Sequence, residues 1–163
     1  KIICADADHK AVDELVKILK KAEGTLRYYD TNTKTQKTKT VKACHGLMTS
    51  MNYIGMRSPT NDYSLLTELL RNEWGFEGTV MTDWFTSQNM PMITGKFKPI
   101  YPISASTGCI YAGNDMQMPG CQKNVDDIVK AVTTGEAIDG FKITKADLQY
   151  NAANVIRVVA KTM

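Results

Sequence analysis

The sequence predicts an α/β fold built on parallel β-strands, with a polar β-hairpin added near the N-terminus. Two observations carry this expectation. Between residues 43 and 83, an apolar run, a turn-rich stretch, an amphipathic segment and a second apolar run follow one another. Strand, loop, helix, strand is a βαβ unit, in which the strands lie parallel and the crossover is right-handed. After residue 103 the alternation partly repeats as helix, short strand and two further helices, the pattern of a parallel sheet covered by helices.

Taken in order, residues 8–23 (DHKAVDELVKILKKAE) place Val12, Leu15, Val16, Leu19 and Ala22 on one helical face, with Gly24 as the stop. In TLRYYDTNTKTQKTKTVKA, Thr and Lys alternate around an Asp-Thr-Asn turn. This predicts a hairpin with one Thr face and one Lys face. ACHGLMTSMN is a candidate buried strand, followed by the turn-rich YIGMRSPTND with Pro59. SLLTELLRNEW sets Leu65, Leu66, Leu69, Leu70 and Trp74 on one side of a helix that Gly75 ends, and TVMTD is the next strand. Residues 86–103, with Pro91, Pro99 and Pro102, read as a long loop. SASTGCIYA reads as a helix stopped by Gly113, NDMQMPG as a short strand, and NVDDIVKAVTTG as a helix with Val125, Ile128, Val129 and Val132 inward. A last helix starts at Thr144, with Asp147 in the reciprocal capping position and Leu148, Ala152, Val155, Ile156 and Val159 as its apolar face.

Composition narrows the function classes. The 163 residues are 43% hydrophobic, enough for one ordinary domain with a core. Lys and Arg number 20 against 17 Asp and Glu, a net charge of +3, too weak a bias to point to nucleic acid or a membrane surface. No apolar stretch approaches the ~20 residues that span a bilayer, and nothing resembles a signal peptide. The chain starts at Lys1 without an initiator Met and reads as a mature or excised piece. Cys4, Cys44, Cys109 and Cys121 are scattered without a CxxC pair, and His9 and His45 are the only histidines. The expectation is buried thiols, with no metal and no organic cofactor.

The stretch GFEGTVMTDWF (75–85) ends an apolar strand in one carboxylate, Asp83, walled at once by Trp84 and Phe85. Desolvating a carboxylate costs several kcal/mol, so Asp83 either caps the next element or serves a chemical role. In a parallel sheet the chemistry gathers at the carboxyl ends of the strands. Met51-Asn52, Asp83-Trp84 and Asp115 are all expected at that end.

The runs LMTSMNYIG, SLLTELLRNEWGFEGTVMTDW and AGNDMQMPG, in this order, closely resemble the family 3 glycoside hydrolases of β-glucosidase type. The resemblance covers about residues 43–120, with a similar helical tail after it. It implies that residues 43–163 are the last third of a (β/α)₈ TIM-type barrel, and that residues 1–42, helix plus Thr/Lys hairpin, are an insertion or partly unlike the family. The sixth barrel strand falls near 46–51, the seventh near 79–83 and the eighth near 114–118. Asp83 then matches the catalytic nucleophile of a retaining glycosidase, and Trp84 offers an apolar wall for a sugar or aglycone ring. Met51 stands near the nucleophile where the family often has Tyr, a change read as altered packing or specificity.

The resemblance also shows what the chain lacks. A whole barrel takes ~250 residues. The family's early strands carry an Asp, an Arg and a Lys-His pair that grip the sugar, and none of these is found. The proton donor is unassigned, because Glu68, Glu73 and Glu77 sit on helix and link positions, and Asp115 looks structural. The resulting expectation is a fragment of a hydrolase acting on terminal β-linked glucose or a related sugar, inactive alone and paired with the rest of the barrel or a second copy. A non-catalytic carbohydrate-binding or assembly piece is the alternative. A third reading, nucleic-acid binding by the Lys hairpin, is set against the role of Lys as a guard on exposed strand edges.

Overall fold

The computed structural model describes residues 21–42, 44–54, 56–88 and 100–162, together with Glu14, Lys17 and Ile18. Most of the helix expected over 8–23 lies outside the described residues. Of those that are described, Glu14, Lys17, Ile18 and Lys21 are helical, and Ala22 and Glu23 are not. The helix gives way to strand at Glu23, so Gly24 lies inside a strand rather than at a helix stop. The chain divides into two compact units, Lys1–His45 and Gly46–Met163.

In the first unit, β1 (Glu23–Asp30) pairs antiparallel with β2 (Thr35–Lys42), in a register running from Glu23 opposite Lys42 to Asp30 opposite Thr35. The Asp30 carboxylate closes the turn. It accepts hydrogen bonds from the amides of Asn32 (2.8 Å) and Thr33 (3.1 Å) and from Lys37 Nζ (2.5 Å). Lys37 and then the turn amides hold that carboxyl below its ordinary value. Because side chains alternate along a strand, Lys37 and Lys39 share one face of β2, and Thr38 and Thr40 the other. Leu26, Tyr28 and Tyr29 of β1 are exposed.

In the second unit, β3 (Gly46–Thr49) and β4 (Thr79–Thr82) pair in parallel, with Gly46 opposite Thr79 and Thr49 opposite Thr82. The other edge of β4 meets residues 115–118. Met81 bridges Met116 in parallel, the Asp115 and Met116 amides donate to Val80 O (2.8 and 3.1 Å), and Thr82 N donates to Met116 O (2.9 Å). The expected strands are thus present in shorter form. β3 stops at Thr49, two residues before Met51, and 114–118 forms one bridge rather than a ladder.

Between β3 and β4 runs a wide-wound π-helix, Ser64–Glu73. Its closing bond, Trp74 N to Leu69 O (2.8 Å), spans five residues. The buried face is shifted by one residue from the expected one, to Leu66 and Leu70 beside Thr67 and Arg71. Leu65, Leu69 and Trp74, expected with them, are only half-buried. Leu66 and Leu70 pack with Val80 and Ala112 as one core.

Helix α1 (Ser106–Ala112) is stopped by Gly113 at φ +83, as expected. A Cβ there would lie 2.9 Å from Thr67 Oγ1, in a backbone region that L side chains rarely adopt. Helix α2 (Gln122–Thr134) ends at Gly135, also as expected. Its inward face differs from the expectation, because Asn124 and Ala131 are buried while Val125 and Val129 are exposed. Helix α3 (Lys145–Thr162) begins with the expected capping box, in which Asp147 Oδ2 accepts from Thr144 N and Oγ1, both at 2.7 Å. Its buried positions are Asn151 and Asn154, whereas Ala152, Ile156 and Val159 face outward. Ile110, Ala131 and Ile143 form the second core, with Leu148 packed against it.

Candidate active site

Asp83 is the first residue beyond β4, and backbone bonds fix it from two sides. Its amide donates to Thr49 O of β3 (3.2 Å), and its carbonyl accepts from Thr86 Oγ1 (2.8 Å). Asp83 Oδ1 accepts from the Trp84 amide (2.6 Å), so the side chain folds back over the strand end. It is half-buried. The following turn needs Phe85 at φ +63, a left-handed conformation uncommon for a bulky residue. The Phe85 amide donates to Met118 O (2.8 Å), which ties the turn to the third strand segment. This fixed turn sets the Trp84 and Phe85 rings 5.7 Å apart, with both exposed.

Met51 follows β3 by two residues, at the same end of the sheet as Asp83, and is exposed. Asn52 stands beside it and accepts from Ser50 Oγ through its carbonyl (3.1 Å). Asp115, expected at this end too, is elsewhere. It lies level with Val80, three residues before Asp83, because its segment starts its pairing there. At the carboxyl end the third segment instead brings Met118, whose amide donates to Thr82 Oγ1 (2.8 Å).

Asp115 anchors a knot that periodicity did not reveal. Its Oδ2 accepts from Arg71 Nη2 (2.6 Å) and the Val80 amide (2.8 Å), and its Oδ1 from Asn154 Nδ2 (2.9 Å). The Arg71 and Asp115 side chains are 4% and 0% exposed. Burial pushes the Asp115 carboxyl above its ordinary value, against the pull of the Asn154 and Val80 hydrogen bonds and the Arg71 charge. A second buried link, Asn114 Nδ2 to Thr49 Oγ1 (3.1 Å), joins the third segment to the end of β3. The only sequence signal for these groups is polar residues standing where an apolar pattern would place Leu or Val.

Glu68, Glu73 and Glu77 are exposed, and Glu77 meets Lys161 (3.3 Å). Cys109 is fully buried, and desolvation pushes its thiol well above the ordinary range, which makes it a packing residue. Among the described residues no three His, Cys, Asp or Glu side chains gather as a metal site, and no helix is long and apolar enough to cross a membrane. Two clefts open in the second unit. One of about 250 Å³ lies beside Ser87 and Gln88 against Ser104, Ser106 and Asn124, and one of about 380 Å³ lies between Arg57 and Tyr111. Asp83 lines neither of these two clefts.

Comparison with known proteins identifies the family. Residues 16–158 match the Glycosyl hydrolase family 3 N terminal domain, a stretch that includes the hairpin. The chain is 28% identical over 159 residues to the probable beta-glucosidase I of Emericella nidulans, covering 96% of this chain and 16% of that protein. It is 37% identical over 117 residues to the exo-alpha-(1->6)-L-arabinopyranosidase of Bifidobacterium breve, covering 71% of this chain and 12% of that one. The beta-glucosidase 3B of Thermotoga neapolitana, solved in complex with glucose, superposes with a TM-score of 0.55 and 25% identity over 71% of this chain and 14% of its own. The chain therefore spans only between about a tenth and a sixth of the length of the curated relatives it matches. With its α/β elements, its parallel strand pair and a match that runs almost end to end, the chain belongs to family 3 of the glycosyl hydrolases.

Proposed function

We propose that this chain is the nucleophile-bearing part of a retaining glycosidase that cleaves terminal β-linked glucose or a related sugar, with Asp83 as nucleophile. One observation carries the reading: a single carboxylate, half-open to solvent, stands directly beyond a parallel strand with an exposed Trp beside it. In such a reaction the carboxylate attacks the anomeric carbon while a proton donor releases the leaving oxygen. Water then hydrolyses the covalent glycosyl intermediate with retention. Backbone bonds to Thr49 and Thr86 keep the Asp83 main chain still during attack, which limits the reorganisation that would raise the barrier. Trp84 serves as a stacking wall, and Met51 stands at the same end of the sheet.

In the proposed whole enzyme, residues 43–163 form the last third of a (β/α)₈ barrel. The remaining strands, supplied by the rest of the protein, bring the sugar-gripping groups and the proton donor. Residues 1–42 form an added arm. Neither metal nor organic cofactor enters the mechanism.

The test is Asp83→Asn in a protein that includes the missing strands, assayed on a chromogenic β-glucoside. The expected loss is about 10⁴-fold or more in kcat, with the fold intact, since loss of an essential nucleophile has consequences of that order. A variant within about tenfold of the parent, far too small a loss for a missing nucleophile, ends the assignment.

A further inference from the structure

We propose that the cleft between the start of the π-helix and α1 is a second saccharide-binding site, which takes a neutral β-linked gluco-oligosaccharide without using Asp83. Its walls are aromatic. Tyr63, Tyr101 and Tyr111 stand 38%, 40% and 42% exposed around a space of about 380 Å³, with the buried Phe141 at its base. Tyr63 and Tyr111 have ring centroids 5.4 Å apart, and Tyr111 and Phe141 5.7 Å, with the paired rings inclined by 40° and 43°. Such amphipathic rings are ordinarily covered or occupied, since each offers an apolar face and a hydroxyl in water.

The base of the cleft is tightly fitted. Asn61 Nδ2 donates to Ile103 O (2.8 Å), and its Oδ1 faces Cys109 Sγ (3.8 Å). A Cβ at Gly108 would sit 2.6 Å from the Asn61 side chain and 2.7 Å from Phe141, so α1 is seated against both only because residue 108 lacks one. The floor beneath the tyrosines is therefore preformed, as ligand sites usually are.

The rim selects the chemistry. The Arg57 guanidinium lies 4.2 Å over the Tyr101 ring and is paired with Asp62 Oδ1 at 3.1 Å, so its charge is already balanced. Glu68 adds an exposed carboxylate on the opposite side. An anion such as a phosphate would meet a neutralised cation and a repelling carboxylate. A neutral polyol meets both a planar donor fork and an acceptor. A pyranose ring pairs an apolar C–H face, which lies flat on a tyrosine, with an equatorial rim of hydroxyls, which suits Arg57 and Glu68. Equatorial β-linked glucose offers that face on successive units, so that the exposed Tyr63, Tyr101 and Tyr111 can each meet one.

The experiment titrates this chain, and its Tyr101→Ala, Tyr111→Ala, Trp84→Ala and Asp83→Asn variants, with cellotetraose, followed by ligand-observed NMR and calorimetry. Circular dichroism checks that each variant is folded. The expected result is saturable binding that weakens by about tenfold or more in Tyr101→Ala and Tyr111→Ala, a larger loss in each than in Trp84→Ala or Asp83→Asn. Tyr101 is exposed and outside both cores, so if Tyr111→Ala does not fold, Tyr101→Ala decides alone. No saturable binding, equal affinity in every folded variant, or a loss confined to Trp84→Ala each overturns the proposal. The assignment of Asp83 is read from turnover of the longer protein, so either can fail without the other.

Discussion

The amide of Trp84 holds one oxygen of the Asp83 carboxylate at 2.6 Å, and this contact separates a capping role from a chemical one. Asparagine at residue 83 can still accept that bond through its amide oxygen, but it has no anionic oxygen to attack carbon. A capping role is therefore preserved by Asp83→Asn, whereas turnover is lost as set out above. Asp115 shows the opposite balance, a carboxylate wholly inside the protein whose donors come from three elements. Asn154→Ala removes the donor to Oδ1 and leaves it unpaired. The expected cost is about 1–3 kcal/mol of stability, read as a lower urea midpoint. An unchanged midpoint contradicts the structural role given to this knot.

Among the elements, the parallel pair β3–β4, the stops at Gly113 and Gly135 and the Thr144–Asp147 capping box were legible in the sequence. Each rests on local chemistry: apolar runs, a left-handed C-cap and a reciprocal cap. The buried faces of the helices were less legible. An α-helical period assigned Leu69, Val125 and Ile156 to the interior, but the π-helix buries Thr67 and Arg71 beside Leu66 and Leu70, and α2 and α3 turn Asn124, Asn151 and Asn154 inward to bond with other elements. Hydrophobicity alone cannot announce an inward asparagine. Asp83, Trp84 and Met51 were named from a motif, whereas the Tyr63–Tyr101–Tyr111 cleft gathers residues spread over nearly fifty positions and had no linear signal. Packing gives a direct test. Leu70→Ala, in the first core, is expected to cost about 2–5 kcal/mol, and Val125→Ala on the exposed side of α2 within about 0.5 kcal/mol. Equal losses in chemical denaturation would refute the helix orientations.

For the molecule as a whole, the open question of catalysis is one of completeness. The chain has 163 residues, against the ~250 of a full barrel. Without a positioned acid, the leaving oxygen departs as an alkoxide and forfeits about 10² to 10⁴ in rate. Without grip on the sugar, the proximity contribution is lost as well. The chain alone is expected not to hydrolyse a chromogenic β-glucoside, and to associate with itself or its missing half through open strand edges and apolar surface. Assay and sedimentation of one sample test this, and measurable turnover by a monodisperse monomer overturns it. The Arg71–Asp115–Asn154 knot adds a constraint of another kind, one of time. Arg71 and Val80 leave the ribosome before Asp115, but Asn154 comes 39 residues after it, a delay of about 2–8 s at ordinary synthesis rates. During that interval the carboxylate beside the strand carrying Asp83 lacks its Asn154 donor, so the sheet reaches its full stability only once the last helix is made. A chain cut after residue 150 should stay in that waiting state, degraded by a protease at concentrations the longer chain withstands; equal resistance would show that the sheet sets without its last helix.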